Sequence, residues 1–558
     1  MVKKSAKNVE KEEKKEKKEK KEKKEVKKTA KRAVKTTGKT TKKSKDITSP
    51  LTPLLKNERG IKSVGRLDKA DKKNNKKIKV LFASAEVAPF SKVGGLADVV
   101  GSLPKELTKI GVECEIFTPY YGQIDREKYN IKFIEDSELT ITFGSAVCKF
   151  TLSETTIPNT DIKVYFVDNY KYFSWFYDVY PKWLDWRFEH EKYVAFSMAV
   201  LEYAKRYGFK PDIIHTNDWH TAIMNSLLIS NYNMDPFYYG VKTVFSIHNL
   251  AYQGNYYPDI LDFANVQRHK IYNEWGVEHF GMVNWMKGAI NYADKIIVVS
   301  PKYAQEIMTG EYGEGMDYTL RGKQDKVVGI LNGVDYDYND PKKDKNLIKN
   351  YTSKTLDKKE ECKKDILAKV GLQYNPERPL IALISRLVPQ KGIDLIRDMQ
   401  YELMNLNADF IFLGSGDKAY ENLFIWLSNN SPNIRCITDY SPKLSSQIYA
   451  GADFFLMPSK FEPCGLSQLI AMKYGTLPIV RATGGLDNTI VGYPLNDSTG
   501  FKFWAYNGWD MLNAIKCALS VYPDKYTLNA MRKTAMEKDF SWHDSAEEYK
   551  KVYESLLK

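Results

Sequence analysis

Ser91-Lys92-Val93-Gly94-Gly95-Leu96-Ala97-Asp98 separates two different patterns of apolar residues. Before it, Ile78-Lys79-Val80-Leu81-Phe82-Ala83-Ser84 is short, apolar and rich in β-formers, which is typical of a buried parallel strand. After it, apolar residues recur at helical spacing as far as Leu107. The segment therefore predicts a strand, a glycine loop and a helix.

The glycine loop has the chemistry of a phosphate site. Gly94 and Gly95 let a ligand approach the main chain closely, and the N-terminus of the following helix directs free N–H groups and partial positive charge outward. Lys92 adds a full positive charge at the rim. The loop matches neither the P-loop nor the dinucleotide fingerprint. A turn that only packs a helix on a sheet remains the alternative for this motif taken alone.

The bulk composition indicates a multi-domain protein without a membrane span. A length of 558 residues suits two or three domains, and 43% hydrophobic and 13% aromatic residues suit a globular core. No apolar run approaches the ~18 residues of a membrane helix. The scattered cysteines (114, 148, 362, 436, 464 and 517) form no pair at metal-ligand spacing. We therefore expect a reducing, cytoplasmic location and no metal site.

The positive charge belongs to an N-terminal tail. Residues 1–77 carry 30 Lys and Arg against 11 Asp and Glu, a net of +19, whereas the whole chain has +14. This Lys/Glu-rich segment has almost no apolar residues, so we expect it to be disordered. It is either a solvated tail without a specific partner or an arm that contacts polyanions.

From Ile78 onward, short apolar strands alternate with helical stretches in two successive sets. The first set ends at Ser300, and the second is expected to begin with the strand at residues 327–331. Strand–helix repeats predict doubly wound parallel sheets, whose ligands bind at the carboxyl ends of the strands. Two sheets of similar size are expected, so we expect the active site to lie in the cleft between them.

Polar motifs follow several of these strands. Asn217-Asp218-Trp219-His220 offers His220 as a hydrogen-bond donor or proton carrier, with a helix-capping histidine as the alternative. Residues 248–254 form a second loop rich in hydrogen-bonding groups. In the second set, Arg386 and Lys391 leave a strand five residues apart, which suits a departing diphosphate, although a solvated basic turn has the same pattern.

The most distinctive motif is Phe461-Glu462-Pro463-Cys464-Gly465-Leu466. Glu462 follows a strand and can accept hydrogen bonds from two sugar hydroxyls, while the amides of Gly465 and Leu466 point to the same place. Cys464 has no base tied to it in the sequence, so we interpret it as a packed thiol and not as a nucleophile.

Seven motifs occur in a fixed order, at residues 92–96, 217–220, 248–254, 331–335, 385–392, 461–466 and 483–486. With these motifs the chain resembles the bacterial glycogen synthase and plant starch synthase family. The resemblance runs from about residue 78 to residue 557. It implies the GT-B fold, an α/β architecture of two Rossmann-like doubly wound domains facing a central cleft. The implied domains are a tail (1–77), a first domain (78–300), a second domain (301–541) and a helix that returns to the first domain (542–558).

The resemblance also implies the reaction and its residues. The family transfers glucose from ADP-glucose to the non-reducing 4-hydroxyl of an α-1,4-glucan with retention of configuration. Arg386 and Lys391 are implied to hold the diphosphate, Glu462 the glucosyl hydroxyls, and His220 the region of the 6-hydroxyl and reacting carbon. Tyr440 is implied to stack on adenine. The remaining substrate-binding residues implied are Lys92, Gly94, Gly95, Asp98, Asn249, Asn332, Gly465, Leu466 and Thr483.

The residues favour a particular mechanism. A retaining glycosidase needs two carboxylates about 5 Å apart, and only Glu462 is a candidate, so we expect front-face displacement without a cofactor or metal. Two alternatives remain: the same fold using UDP-glucose or another acceptor, and a polyanion-binding role led by the tail. The sequence does not indicate the oligomeric state.

Overall fold

A computed structural model describes residues 77–181, 183–439 and 441–558 of the chain. The predictions of a disordered tail and of adenine stacking by Tyr440 lie outside these residues. In the described part, no helix is both long and apolar enough to cross a membrane.

The first half of the molecule is built on a ten-stranded sheet. Its strands are β1 (Ile78–Ala83), β2 (Val112–Pro119), β3 (Lys132–Phe133), β4 (Leu139–Phe143), β5 (Ala146–Thr156), β6 (Lys163–Asp168), β7 (Ile213–Asn217), β8 (Lys242–Ile247), β12 (Lys295–Val298) and β13 (Val327–Gly329). Between β8 and β12 in the chain, three short strands form a separate antiparallel sheet: β9 (Asn255–Tyr256), β10 (Glu278–His279) and β11 (Met282–Asn284). The main order is β13-β12-β8-β7-β1-β2-β6-β5-β3, and it is parallel from β13 to β6.

The central strand β1 is buried on both faces, as its apolar run predicts. Leu81 and Ala83 belong to one apolar core, whereas Val80 and Phe82 belong to the core on the opposite face. This alternation follows from the two-residue period of a strand.

Two features of this sheet differ from the sequence-based expectation. Strands β3, β4 and β5 form an antiparallel edge, with β5 pairing β6, and they were not predicted. The strand at residues 327–331 was assigned to the second set, but this assignment is wrong: β13 pairs in parallel with β12. A short apolar run does not reveal its partner, because pairing depends on which sheet edge is open.

The second half is built on a six-stranded parallel sheet with the order β16-β15-β14-β17-β18-β19. Its strands are β14 (Leu380–Ile384), β15 (Asp409–Leu413), β16 (Ile434–Ile437), β17 (Phe454–Met457), β18 (Leu477–Arg481) and β19 (Phe501–Phe503). One continuous apolar core surrounds this sheet.

Helices follow most parallel strands, which confirms the doubly wound pattern. Those in the first half are α1 (Gly95–Lys109), α2 (Trp186–Arg206), α3 (Asp218–Ser230), α4 (Ile260–Phe263), α5 (Arg268–Ile271), α6 (Trp285–Tyr292), α7 (Pro301–Glu306) and α8 (Asp317–Arg321). The remainder are α9 (Lys359–Lys369), α10 (Ile393–Asp398), α11 (Gln400–Met404), α12 (Lys418–Asn430), α13 (Pro442–Gly451), α14 (Ser467–Lys473), α15 (Gly484–Thr489), α16 (Gly508–Val521), α17 (Lys525–Glu537) and α18 (Trp542–Leu556).

Helix α18 packs on the first half, although it follows the second half in sequence. It contacts α1, and Trp542 and Tyr549 lie in a core of the ten-stranded sheet. The hydroxyl of Tyr553 lies 2.7 Å from Nδ1 of His215 on β7. The last described helix therefore completes the core of the first sheet.

Candidate active site

The glycine loop between β1 and α1 is held by a buried carboxylate. Glu86 Oε2 accepts hydrogen bonds from the backbone amides of Val93 at 2.6 Å and Gly94 at 2.9 Å. Its other oxygen accepts from the hydroxyl of Tyr180 at 2.9 Å. The Gly94 amide, expected to contact the donor, is therefore already engaged by the protein. Glu86 was not identified from the sequence, because nothing near it in the chain shows which amides it accepts from.

At the rim of the loop, Lys92 pairs with Asp98. Lys92 Nζ lies 2.6 Å from Asp98 Oδ1, and the lysine is half exposed. Burial raises the pKa of Asp98, and the neighbouring ammonium of Lys92 opposes that rise. The positive charge predicted for this rim is thus partly neutralised by the carboxylate.

The glycine loop faces the distinctive motif of the second half. A Cβ atom added at Gly95 would lie 3.8 Å from Leu466 Cδ1. Gly465 has φ +71°, a left-handed conformation that a residue with a side chain adopts only with strain. Two of the predicted substrate-binding segments therefore meet across the cleft.

Glu462 and Lys391 are in direct contact. Lys391 Nζ donates to Glu462 Oε2 at 2.6 Å, and the Ser459 hydroxyl donates to the same oxygen at 3.0 Å. Both side chains of the ion pair are largely buried. The structure thus joins two predicted catalytic residues that lie 71 positions apart.

Arg386 is exposed at the exit of β14. Among the described residues, no carboxylate lies within ion-pair distance of its guanidinium, whereas Lys391 on the same loop has Glu462. An arginine side chain has five N–H donors in a fixed fork. Because no carboxylate of the described residues pairs with Arg386, these donors suit an anionic ligand.

His220 is buried against aromatic rings. Its ring centroid lies 4.4 Å from that of Trp219, 4.6 Å from Tyr193 and 5.1 Å from Tyr180. Burial, and then the ammonium of Lys192, hold the pKa of His220 well below its ordinary value. The imidazole is therefore neutral near pH 7 and suits hydrogen bonding better than carrying a positive charge.

A second histidine, His248, lies where β8 ends and was not among the predicted site residues. Its Nε2 is 2.9 Å from Asn217 Oδ1, and its backbone amide donates to Asp218 Oδ1 at 2.8 Å. Asp218 has φ +52°, a strained conformation for a non-glycine residue that is common at functional sites. Burial lowers the pKa of His248 to about 3 and raises that of Asp218 to about 7.

Asn249 joins the two halves of the molecule. Its Nδ2 lies 3.5 Å from Gln390 Oε1, and its backbone amide donates to Asp218 Oδ1 at 3.3 Å. Gln390 in turn donates to the carbonyl of Phe461 at 3.2 Å. The loop after β8 is therefore connected to both predicted motifs of the second half.

Asn332 and Cys464 lie side by side below the cleft. Asn332 is buried, and within the described part of the chain its Oδ1 has no hydrogen-bond partner. Such an orphaned acceptor is consistent with a site that a ligand completes. Burial raises the pKa of Cys464 to about 12, while a backbone hydrogen bond from Asn332 opposes the rise. This agrees with a packed thiol, because almost no thiolate exists near pH 7.

Thr483 is fully buried at the junction of the halves. Its hydroxyl donates to Glu306 on α7 at 3.2 Å, and the Gly484 amide donates to the same carboxylate at 3.1 Å. The Thr483 hydroxyl, predicted to bind substrate, therefore already donates its hydrogen bond to a protein carboxylate. Glu306 was not identified from the sequence, since its partners lie almost 180 residues away.

Around the cleft, the described structure contains no group of three or more His, Cys, Asp or Glu side chains placed to hold a metal ion. It brings together Lys391 with Glu462, Lys92 with Asp98, and the loops at Gly95 and Leu466. Arg386 is exposed on the loop that also carries Lys391.

Comparison with known proteins identifies the family. Residues 79–322 match the starch synthase catalytic domain and residues 368–523 match the glycosyl transferases group 1. The glycogen synthase of Alkaliphilus metalliredigens is 41% identical over 488 residues, which cover 86% of this chain and 100% of that protein. The chain belongs to the glycogen and starch synthase family. The glycogen synthase of Thermotoga maritima, also 41% identical, covers 86% of this chain and 99% of its own length.

A solved structure supports the same family. The catalytic domain of starch synthase IV from Arabidopsis thaliana, bound to ADP and acarbose, has a TM-score of 0.80 and 32% identity, covering 86% of this chain and 99% of that one. As a glycogen and starch synthase family member with the GT-B fold, the chain is a glucosyltransferase. The matched families begin at residue 79, so the Lys-rich tail lies outside them.

Proposed function

We propose that the chain transfers glucose from ADP-glucose to the non-reducing 4-hydroxyl of an α-1,4-glucan with retention of configuration. The observation that carries this proposal is the contact of Lys391 with Glu462, with the exposed Arg386 at the start of the same loop as Lys391. The relative of known structure binds ADP and acarbose, a ligand pair that matches this donor and acceptor.

The cationic wall would bind the leaving group. Arg386 and Lys391 place two positive charges where negative charge grows on the departing diphosphate. Fixed charges in a cleft stabilise a transition state without reorganising. Because these side chains supply the charge, we expect transfer without an added metal ion. Tyr440 remains our proposal for the adenine contact.

Glu462 would orient the glucosyl group by accepting hydrogen bonds from its hydroxyls, while Asn332 and His220 bind other polar atoms of the donor. Three other carboxylates near the cleft have protein partners: Glu86 accepts from loop amides, Asp98 pairs with Lys92, and Asp218 accepts from the loop after β8. This supports a mechanism without a carboxylate nucleophile.

Front-face displacement satisfies these constraints. The bond between C1 and the diphosphate oxygen breaks, and the acceptor 4-hydroxyl forms a bond to C1 on the same face. The proton of that hydroxyl passes to the departing diphosphate, so atoms and charge balance. The protein contributes positioning and electrostatic stabilisation.

The test is transfer of labelled glucose to glycogen, with ADP-glucose and UDP-glucose supplied separately and no added metal. We expect incorporation from ADP-glucose that an α-1,4-specific amylase releases. Incorporation from UDP-glucose alone would overturn the donor assignment and leave the mechanism standing. No incorporation from either donor would overturn the proposed function. We place the reaction in the cytoplasm, since all six cysteines are unpaired thiols.

A further inference from the structure

Five aromatic side chains in one short segment of the first half are exposed to solvent. We call this group the aromatic patch. Its rings are 51–73% exposed, and they are Tyr170, Trp175, Tyr177, Trp183 and Trp186. Large apolar side chains concentrated on a surface indicate a binding site more often than chance exposure does.

The backbone that carries the aromatic patch is well anchored. Phe173 and Phe176 are buried between the exposed rings, and the carbonyl of Phe176 accepts from the Gly122 amide at 2.8 Å. The buried ammonium of Lys192 donates to the carbonyl of Val179 at 2.9 Å. The segment therefore holds its exposed rings on a fixed support, which lowers the entropy lost when a ligand binds.

Two of the exposed rings, those of Trp175 and Trp183, are each supported by a neighbouring aromatic ring. Tyr170 and Trp175 meet edge to face with centroids 5.4 Å apart, and the Trp175 amide donates to the Tyr170 carbonyl at 3.1 Å. Trp183 lies against the buried Phe176, with centroids 5.6 Å apart. Each of the two tryptophans thus has an aromatic neighbour that supports its ring and leaves most of its surface open.

The aromatic patch is continuous with the candidate active site. Tyr180, within the same segment, donates to Glu86, which holds the glycine loop. At the end of the segment, Trp186 lies 6.3 Å from the ring of Trp219, the neighbour of His220. The aromatic patch is therefore linked through these side chains to the glycine loop and to the surroundings of His220.

We propose that the aromatic patch binds the α-1,4-glucan chain whose end is extended in the cleft. The faces of a glucopyranose ring present C–H groups, which stack on flat aromatic rings, and its hydroxyls hydrogen-bond to tyrosine hydroxyls and indole N–H groups. A neutral polymer of repeated sugars suits several separate rings better than one deep pocket. This inference rests on the proposed function, because that function makes a glucan the occupant of the adjoining cleft.

The test uses the full chain with Trp175→Ala and Trp183→Ala combined. The matched control is Trp426→Ala, which removes a partly exposed tryptophan from α12 in the second half. Retardation in native gels containing glycogen measures binding without catalysis. Steady-state kinetics give KM for glycogen, for maltotriose and for ADP-glucose.

We expect the double variant to bind glycogen about tenfold more weakly, since each lost aromatic contact weakens binding by a few-fold. Its KM for glycogen should rise similarly, whereas KM for ADP-glucose and turnover on saturating maltotriose should stay within about twofold of wild type. Circular dichroism and the Tm should be unchanged because both side chains are exposed. Trp426→Ala should behave as wild type.

Several outcomes would overturn the inference. These are unchanged glycogen retardation in the double variant, an equal loss in Trp426→Ala, or no retardation of the wild type. A change of sedimentation coefficient with unchanged glycogen binding would instead identify the patch as a contact between two copies. Wild-type binding to glycogen without transfer from either sugar nucleotide would overturn the proposed function alone, because the gel assay needs no reaction.

Discussion

Two buried polar groups, one in each half of the molecule, are stabilised in opposite ways. In the second half, Asp453 is buried in an ion network: Oδ2 lies 2.8 Å from Lys363 Nζ and Oδ1 lies 2.5 Å from Arg532 Nη2. In the first half, His215 is buried as a neutral ring, with Tyr553 and Ser246 hydroxyls each 2.7 Å from a ring nitrogen. The buried imidazole of His215 thus has uncharged partners, whereas the buried carboxylate of Asp453 has paired charges.

This contrast determines how each buried group changes the stability of the protein in acid. Burial would raise the pKa of Asp453, but Lys363 and Arg532 hold it at about 2. Burial lowers the pKa of His190 and His215 to about 3. The carboxylate stabilises its half until the pH falls below about 4, whereas the histidines begin to weaken theirs below about 6.5. Asp453 therefore resists mild acid, whereas His190 and His215 are sensitive to it.

The largest expected effect comes from breaking the charged network. Asp453→Asn leaves Lys363 and Arg532 buried without a counter-charge, so the free energy of unfolding should fall by about 3–5 kcal/mol. Urea unfolding at pH 7 measures this loss. Asp365→Asn removes the partner of Lys369 on the surface and should cost less than about 1 kcal/mol. Equal losses in the two variants would contradict the importance of the buried network.

In the described part of the chain, the walls of the cleft show the reverse arrangement, with the paired charge in the first half and the unpaired one in the second. Arg386 has no carboxylate partner among the described residues, whereas Lys92 is paired with Asp98. Arg386→Ala should therefore lower kcat roughly 10²–10³-fold, the range for losing a charge stabiliser. Lys92→Ala should lower it less than about tenfold. Steady-state transfer from ADP-glucose distinguishes the two, and near wild-type turnover in Arg386→Ala would remove its assigned role.

The acid sensitivity of the first half is tested on His215. Its pKa of about 3 in the folded protein is below the unfolded value of about 6.5, so the unfolded chain is protonated first and stability falls as the pH drops below 6.5. His215→Asn should flatten the pH dependence of the unfolding free energy by up to about 1.4 kcal/mol per pH unit between pH 6.5 and 4.5.

The control for this measurement is His269→Asn, which replaces an exposed histidine of the same half. Burial raises the pKa of Asp218 and of Glu115 to about 7 in the same half, and these groups act in the opposite direction. The difference between each variant and the wild type is therefore the quantity to compare. A slope unchanged in His215→Asn would show that the neutral ring is not linked to acid stability.

A smaller effect is expected at Glu86, a buried carboxylate of the first half. Glu86→Gln keeps one oxygen for the amides of Val93 and Gly94 but loses the charge that strengthens those bonds. We expect KM for ADP-glucose to rise about tenfold, with KM for glycogen nearly unchanged. Tyr180→Phe, which removes only one of the bonds to Glu86, should raise it less. An equal rise in both KM values would indicate general damage to the cleft.

The sequence predicted the features that depend on local pattern. Apolar runs located β1, β7, β8, β14 and β17, and the motifs after them indicated the cleft. The contact of Lys391 with Glu462 agrees with both residues lying at the carboxyl ends of parallel strands, because those ends meet at one edge of a sheet.

The features that depend on distant partners were not predicted. The antiparallel strand β5 lies between short polar turns. Its alternation of buried and exposed residues was not among the predicted strand patterns. Glu86 and Glu306 are ordinary acidic residues in the sequence, and only the tertiary structure shows which amides they accept from. His248 follows β8 directly, and this position is a signal of the same kind as that of His220 after β7.

The contact between Tyr553 and His215 has a consequence for biosynthesis. The two residues are separated by 338 positions, and the buried ring of His215 contacts both Tyr553 and Tyr549 of α18. At about 5–20 residues per second, a ribosome needs roughly 20–70 s to travel that distance. During this interval the nascent first half displays an open apolar surface, so its final folding waits for a segment translated after the whole second half.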